Sequence, residues 1–255
     1  MKTSVRILVL VVLTALFAVR AQAQFTITSL PKTITVPGTY TLTGNLSFSA
    51  SSGNAITINA GSVLIDFAGF GISGLGAGAA TQANGIYANN RSTLTIRNGQ
   101  IAGFRYGIYL TGVSNSSANN TANVIDNMRL TYNTYAGIYD NFARAHRISN
   151  CIVSNTGRSP TGAVINASAD GIFCYGVNAG ALNVIKDNQV SGTGDKAQAQ
   201  GTSFGIYTYG GVVLNNQISD ARFGVYTAAT KYRDNITLDC TTPFYGGGTA
   251  VGGNN

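Results

Sequence analysis

The chain has 255 residues, 44% of them apolar and only 10% charged, with a formal net charge of +7. It holds 32 Gly, 25 Asn, no Glu and no Trp, and all nine of its acidic residues are Asp. So few strong helix formers exclude a helical bundle or coiled coil, and the apolar content excludes a disordered chain.

Residues 1–23 read as an export signal. Lys2 and Arg6 give it a positive start, Ile7 to Val19 form an apolar run, and Ala21-Gln22-Ala23 supply the small residues of a cleavage site. The run falls short of the ~20 residues a membrane span needs, and Arg20 argues further against one. No Cys follows the cleavage site, so a lipid anchor is not expected. The sequence therefore predicts an exported protein, at the cell surface, in a periplasm or released, with no membrane span after signal removal. Losing Lys2, Arg6 and Arg20 lowers the net charge to +4. This mild, scattered balance lacks the Lys/Arg stripe that nucleic-acid binding requires, and it permits weak attraction to acidic polysaccharide.

Internal repetition organises residues 24–245. A Gly-Ile/Val-aromatic unit recurs at Gly85-Ile86-Tyr87, Gly107-Ile108-Tyr109, Gly137-Ile138-Tyr139, Gly171-Ile172-Phe173, Gly205-Ile206-Tyr207 and Gly224-Val225-Tyr226. Between these units an Asn precedes an aliphatic by two or three residues: Asn98/Ile101, Asn127/Leu130, Asn150/Ile152, Asn188/Val190, Asn216/Ile218 and Asn235/Leu238. Each unit fits a short strand with one or two inward aliphatics, bounded by residues that tolerate positive φ. No helix-period segment lies between the strands, so these are not βαβ units. Short strands with one apolar edge must stack on their copies, which predicts an all-β solenoid with strands about 4.8 Å apart. In that stack the Asn residues align as a structural ladder of side-chain amides. The Gly-rich end, residues 246–255, reads as a flexible tail.

These repeats resemble the right-handed parallel β-helix proteins of the pectate-lyase-like superfamily. So do the stretches Thr33 to Leu46 and Val63 to Gly74. The resemblance spans nearly all of residues 25–240 and implies a single-stranded right-handed parallel β-helix. It implies little about activity, because one fold serves many functions.

Function in a solenoid belongs on outward faces and inserted loops. Two long connections, Ser154–Asp170 and Ser191–Phe204, occur in consecutive coils at one corner and are expected to wall a groove. They carry Arg158, Asp170, Asp195 and Lys196. Strand alternation turns Tyr87, Tyr109, Tyr139, Phe173, Tyr207 and Tyr226 outward if the neighbouring aliphatics point in. That stripe could hold sugar rings or simply stack on itself. Arg105 and Arg222 precede the strand on the same face.

The lyases of this superfamily hold calcium on clustered carboxylates, and its hydrolases use neighbouring Asp residues with a Gly-His-Gly segment. Aligned on the Asn ladder, Asp126, Asp187 and Asp234 share a column but lie in alternate coils, roughly 10 Å apart and too far for one ion. Sliding the fourth and fifth coils by one residue, to keep Ile185 and Val213 inward, breaks the column instead. No metal site or cofactor is expected. The nearest acid pair for a two-carboxylate mechanism is Asp140 and Asp170, whose registers differ. The single His, His146, lies in Arg144-Ala145-His146-Arg147, taken to be beside the long loops, with Lys186 and Asp187 one coil on. Arg144, Arg147 and Lys186 thus form a candidate contact for an anionic sugar, or a solvated cationic corner. Three Cys leave at least one unpaired, and the register of Cys151 and Cys174 favours three buried thiols over a disulfide.

The favoured reading is a protein that binds extracellular or envelope polysaccharide through the aromatic stripe and the loops. A polysaccharide lyase or glycoside hydrolase of the superfamily, with a site centred on the loops, is the alternative. A structural or adhesive surface protein is the third. The sequence leaves the catalytic residues and the oligomeric state open.

Overall fold

The computed structural model describes residues 23–113, 120–176, 178, 180–197 and 202–255. Of the expected export signal, only Ala23 falls among them.

The expected solenoid forms. Each turn of the chain lays down three strands, one in each of three sheets, and every pairing between strands is parallel. This is a right-handed parallel β-helix. The first sheet carries the Gly-Ile-aromatic strands, including Asn84–Asn89, Tyr106–Thr111, Ala136–Ala143 and Asp170–Gly176. Its register runs Ile56, Ile86, Ile108, Ile138, Ile172, Ile206, Val225. All seven side chains are completely buried. The second sheet contributes the inward column Ile65, Ile96, Ile125, Ile148, Ile185, Val213, and the third Ile72, Ile101, Leu130, Val153, Val190, Ile218. Burying one such aliphatic stabilises the fold by about 1.5–3 kcal/mol. The three columns meet in one continuous core.

Glycine has a packing reason in the repeated strand. A Cβ on Gly137 would lie 2.3 Å from Val153 Cγ1 and 2.8 Å from the carbonyl oxygen of Gly171. The first and third sheets close on each other over this atom-sized gap.

The Asn ladder differs from the sequence expectation, because the six Asn residues occupy two adjacent columns. Asn98, Asn127 and Asn150 sit at the bend between the second and third sheets with φ of 61°, 51° and 56°. One coil on, that left-handed position passes to Asp187, then Asn215 and Asp234, with φ of 57°, 51° and 55°. Asn188, Asn216 and Asn235 stand one residue later and turn inward, where they are buried. There Asn188 Nδ2 donates to Asn216 Oδ1 at 2.9 Å, and Asn216 Nδ2 to Asn235 Oδ1 at 2.9 Å. Inward placement of Ile185 and Val213 imposes the one-residue slide. Asp126 accordingly aligns with Ser149 and Lys186, and the shared column of Asp126, Asp187 and Asp234 does not exist.

Residues 246–255 also differ from the flexible tail expected of them. Thr249–Ala250 pair with Lys231 and Tyr232, and Asn254 Oδ1 accepts from Asn235 Nδ2 at 3.2 Å. The Gly-rich end thus begins another coil and extends the buried amide ladder. All three thiols are free: Cys151 and Cys174 are buried, while Cys240 is partly exposed, against the expectation of three buried ones.

Candidate functional site

The outward face of the first sheet carries the aromatic stripe in the expected register, with Tyr87, Tyr109, Tyr139, Phe173, Tyr207 and Tyr226 side by side. Its rings are half-buried by one another. Tyr139 and Phe173 stack at 4.4 Å and 3°, Phe173 and Tyr207 at 4.8 Å and 9°, and Tyr207 and Tyr226 at 4.5 Å and 4°. Rings stacked this closely along the axis cover each other's faces and offer only edges to solvent. Toward the N-terminal end the order breaks: Tyr109 meets Tyr139 edge-on at 87°. There Tyr106 and Tyr135 join the cluster, with centroids 5.1 Å apart.

This break coincides with a change in the corner that leads into the sheet. Ser154–Asp170 and Ser191–Phe204 are long, as read from the sequence, but they do not enclose a groove between them. Gly194 N–H donates to Thr156 O at 2.8 Å, and Asp195 N–H to Ala167 O at 3.3 Å, so the two loops fuse into one wall. Their charges close on the next corner, where Arg158 and Lys196 both pair with Asp220, and Lys196 also with Asp239. The opposite wall is residues 74–83, with a short 3-10 turn at Leu75–Ala77. Between the walls lie two coils with short corners, a gap of three strand spacings, roughly 14 Å. Leu75 and Ala79 face Pro160 and Ile165 across Gly103 and Thr134. Beside them a recess of about 280 Å³ is lined by Gln82, Arg105, Tyr135 and Asn166.

Electrostatics sharpen the floor of this groove. The Arg105 guanidinium lies 5.3 Å from the Tyr106 ring and 5.4 Å from the Tyr135 ring, and it donates to Gln82 Oε1. Tyr135 is 36% exposed and offers its ring to the recess. Burial raises the Tyr106 phenol above its ordinary value, opposed by the neighbouring Arg105, and pushes Tyr139 up to about 12. Asp170, where the loop wall meets the sheet, is buried, and its Oδ1 accepts from Phe204 N–H at 3.3 Å. Burial pushes its carboxyl up to about 8, against the lowering effect of that hydrogen bond.

The remaining expected residues lie elsewhere. Arg144 and Arg147 flank the corner between the first and second sheets, not the corner of the long loops. Lys186 stands on the second sheet, aligned with Ser149 and paired to Asp187 at 2.9 Å. His146 does not join this cationic surface: it is buried, with Nε2 donating to the Asn120 carbonyl at 2.7 Å and Nδ1 bonded to Asp140. Asp140 points into the core and Asp170 stands on the opposite side of the same sheet, so they do not form an acid pair. Among the described residues, no three His, Cys, Asp or Glu side chains gather as metal ligands, and no helix is long and apolar enough to cross a membrane.

A family described as right handed beta helix region matches residues 84–254. The chain belongs to that family. Two solved structures share this β-helix fold at low identity. Full-length tailspike protein 2 from Escherichia coli O157:H7 bacteriophage CAB120 is 17% identical at a TM-score of 0.61, over 92% of this chain and 35% of that one. Pectate lyase Pel9A is 11% identical at a TM-score of 0.52, over 90% of this chain and 67% of that one. The β-helix described here thus spans about a third of the tailspike's length. No curated protein matches the chain.

Sequence reasoning missed the wall at 74–83 and with it the groove. The signal was present as an eleven-residue span between Ile72 and Asn84, but it precedes the first Gly-Ile-aromatic repeat and so had no pair of units to be measured against.

Proposed function

We propose that this exported β-helix binds polysaccharide in the groove across the short corners, with Arg105, Tyr106 and Tyr135 as its floor. The carrying observation is the partly exposed Tyr135 ring beside Arg105 and Gln82 in a recess between two walls. An aromatic face takes the apolar side of a sugar ring, while amide and guanidinium groups take hydroxyls or a carboxylate. A pectate lyase, by name, acts on an acidic polysaccharide, and Arg105 suits such a ligand. The stripe from Tyr139 to Tyr226 then serves as a rigid spine, and its N-terminal members Tyr87, Tyr109 and Tyr139 border the groove. Export follows from the leader at residues 1–23. The experiment is affinity electrophoresis of Tyr135→Ala and Arg105→Ala through gels holding acidic or neutral polysaccharides. Retention of the parent protein on an acidic glycan, lost in both variants, supports the reading; parent-like retention in both ends it.

A further inference from the structure

A second recess lies at a different corner, between the first and second sheets near the C-terminal end. It encloses about 670 Å³, within the range of small-molecule sites, ~300–1,000 Å³. Leu182, Val184, Val212 and Ala229 line it over a floor that includes Gly211, and Lys231 stands at its edge. Its lining contains no aromatic ring.

Two observations mark it as more than a surface irregularity. The bend residues preceding the second-sheet strands take left-handed backbone: Ser62, Thr93, Ala122, Ala145, Leu182, Gly210 and Ala229 have φ between 52° and 75°. Among these seven, Leu182 has the largest side chain, the others being Ala, Gly, Ser or Thr. Leu182, at φ 56°, carries a large side chain in an unfavourable backbone region and leaves it 74% exposed. Both costs fall on the one residue that overhangs the apolar recess. Strain at an exposed apolar residue points to a ligand that it contacts.

The second observation is charge. Ladder register places Arg147, Val184, Val212 and Lys231 in one outward column of the second sheet. Two valines are bracketed by two cations, roughly 14 Å apart at three strand spacings. Among the described residues, no acid pairs with Arg147 or Lys231 within 4 Å. An aliphatic trough with an unpaired cation at each end complements an aliphatic chain bearing an anionic head.

We infer that this trough binds a single-chain anionic amphiphile, its acyl chain against Leu182, Val184 and Val212 and its carboxylate on Lys231 or Arg147. The site shares no lining residue with the glycan groove and stands or falls independently of it. Titration calorimetry of the protein recovered from an exporting host tests it, with sodium laurate and with dodecyltrimethylammonium, each below its micellar concentration. Laurate is expected to bind saturably and the cationic detergent to bind at least tenfold more weakly. Lys231→Gln should weaken laurate about tenfold. Leu182→Gly relieves the backbone strain, so it should keep or raise the melting temperature while weakening laurate. Absent laurate binding, equal affinity for the cationic detergent, or parent-like affinity in both variants would each overturn the assignment. So would a dimer that Leu182→Gly dissociates without any laurate uptake, which would make the occupant a second copy of the chain.

Discussion

The Tyr139 ring lies 4.4 Å from the Phe173 ring with only 3° between their planes. Phe173 is also stacked on Tyr207, at 4.8 Å and 9°, from the other side. A ring engaged on both faces contributes to stability and has no face left for a sugar. Phe173→Ala is therefore expected to destabilise the protein by about 2–3 kcal/mol in urea denaturation and leave glycan retention intact. Tyr135→Ala should do the reverse, abolishing retention with a stability change below about 1 kcal/mol. Exchange of these two outcomes would place the glycan on the stripe.

Asp170 makes stability depend on pH. Its folded value of about 8 lies far above the ordinary 3.8, so the folded protein holds a proton that the unfolded chain has released. That contribution is complete below about pH 4 and is lost as pH rises toward about 8, at up to ~1.4 kcal/mol per pH unit. Asp170→Asn keeps a neutral amide oxygen facing Phe204 N–H. Denaturation series from pH 4 to 9 should show a shallower slope in the variant, and parallel curves would contradict the buried acid.

The buried amide ladder should be costly to interrupt. Asn216 accepts from Asn188 and donates to Asn235, to the Ile185 carbonyl and to the Leu214 carbonyl. Removing it strands backbone groups inside the solenoid. Asn216→Ala is expected to lose about 2–4 kcal/mol in the same denaturation assay, against about 1 kcal/mol for the exposed Asn215→Ala, whose main cost is the left-handed bend.

Thiol chemistry separates the three cysteines. Burial pushes Cys151 up to about 12 and Cys174 well above the ordinary thiol value, whereas Cys240 is only partly covered. In the native state one thiol per chain should react with a disulfide reagent, and mapping should place it at Cys240. Three thiols should appear on unfolding. Fast native labelling at Cys174 would mean that the core around Asp140 opens.

Gly137→Ala tests the closure between the sheets. The new methyl would meet Val153 Cγ1 and the Gly171 carbonyl, so a loss of about 2–4 kcal/mol is expected by thermal unfolding.

The fold was legible because one Ile column repeats with the same Gly before it and the same ring after it. The Asn ladder was half legible: Asn occurs at the bend in some coils and one residue past it in others, and one-letter spacing does not distinguish a left-handed bend residue from its buried successor. Only the need to bury Ile185 and Val213 separates them. The site was less legible still. Arg105 and Tyr135 stand at neighbouring positions in successive coils, but what makes them a floor is the height of loops 74–83 and 155–169 on either side. Asp140 and His146 looked available as surface chemistry, yet strand alternation from Ile138 puts Asp140 inside, and His146 follows it there.

The strands of each coil pair only with those of the coil above and the coil below, and every pairing between strands is parallel. A force applied to the two chain ends along the axis therefore loads one rung of ladder bonds at a time, as a zip opens. Extension should proceed in separate steps, each releasing one coil. The coils holding Ser154–Asp170 and Ser191–Phe204 would give the longest increments. The fusion of their loops through Gly194 and Thr156 would make that pair the place where the zip catches.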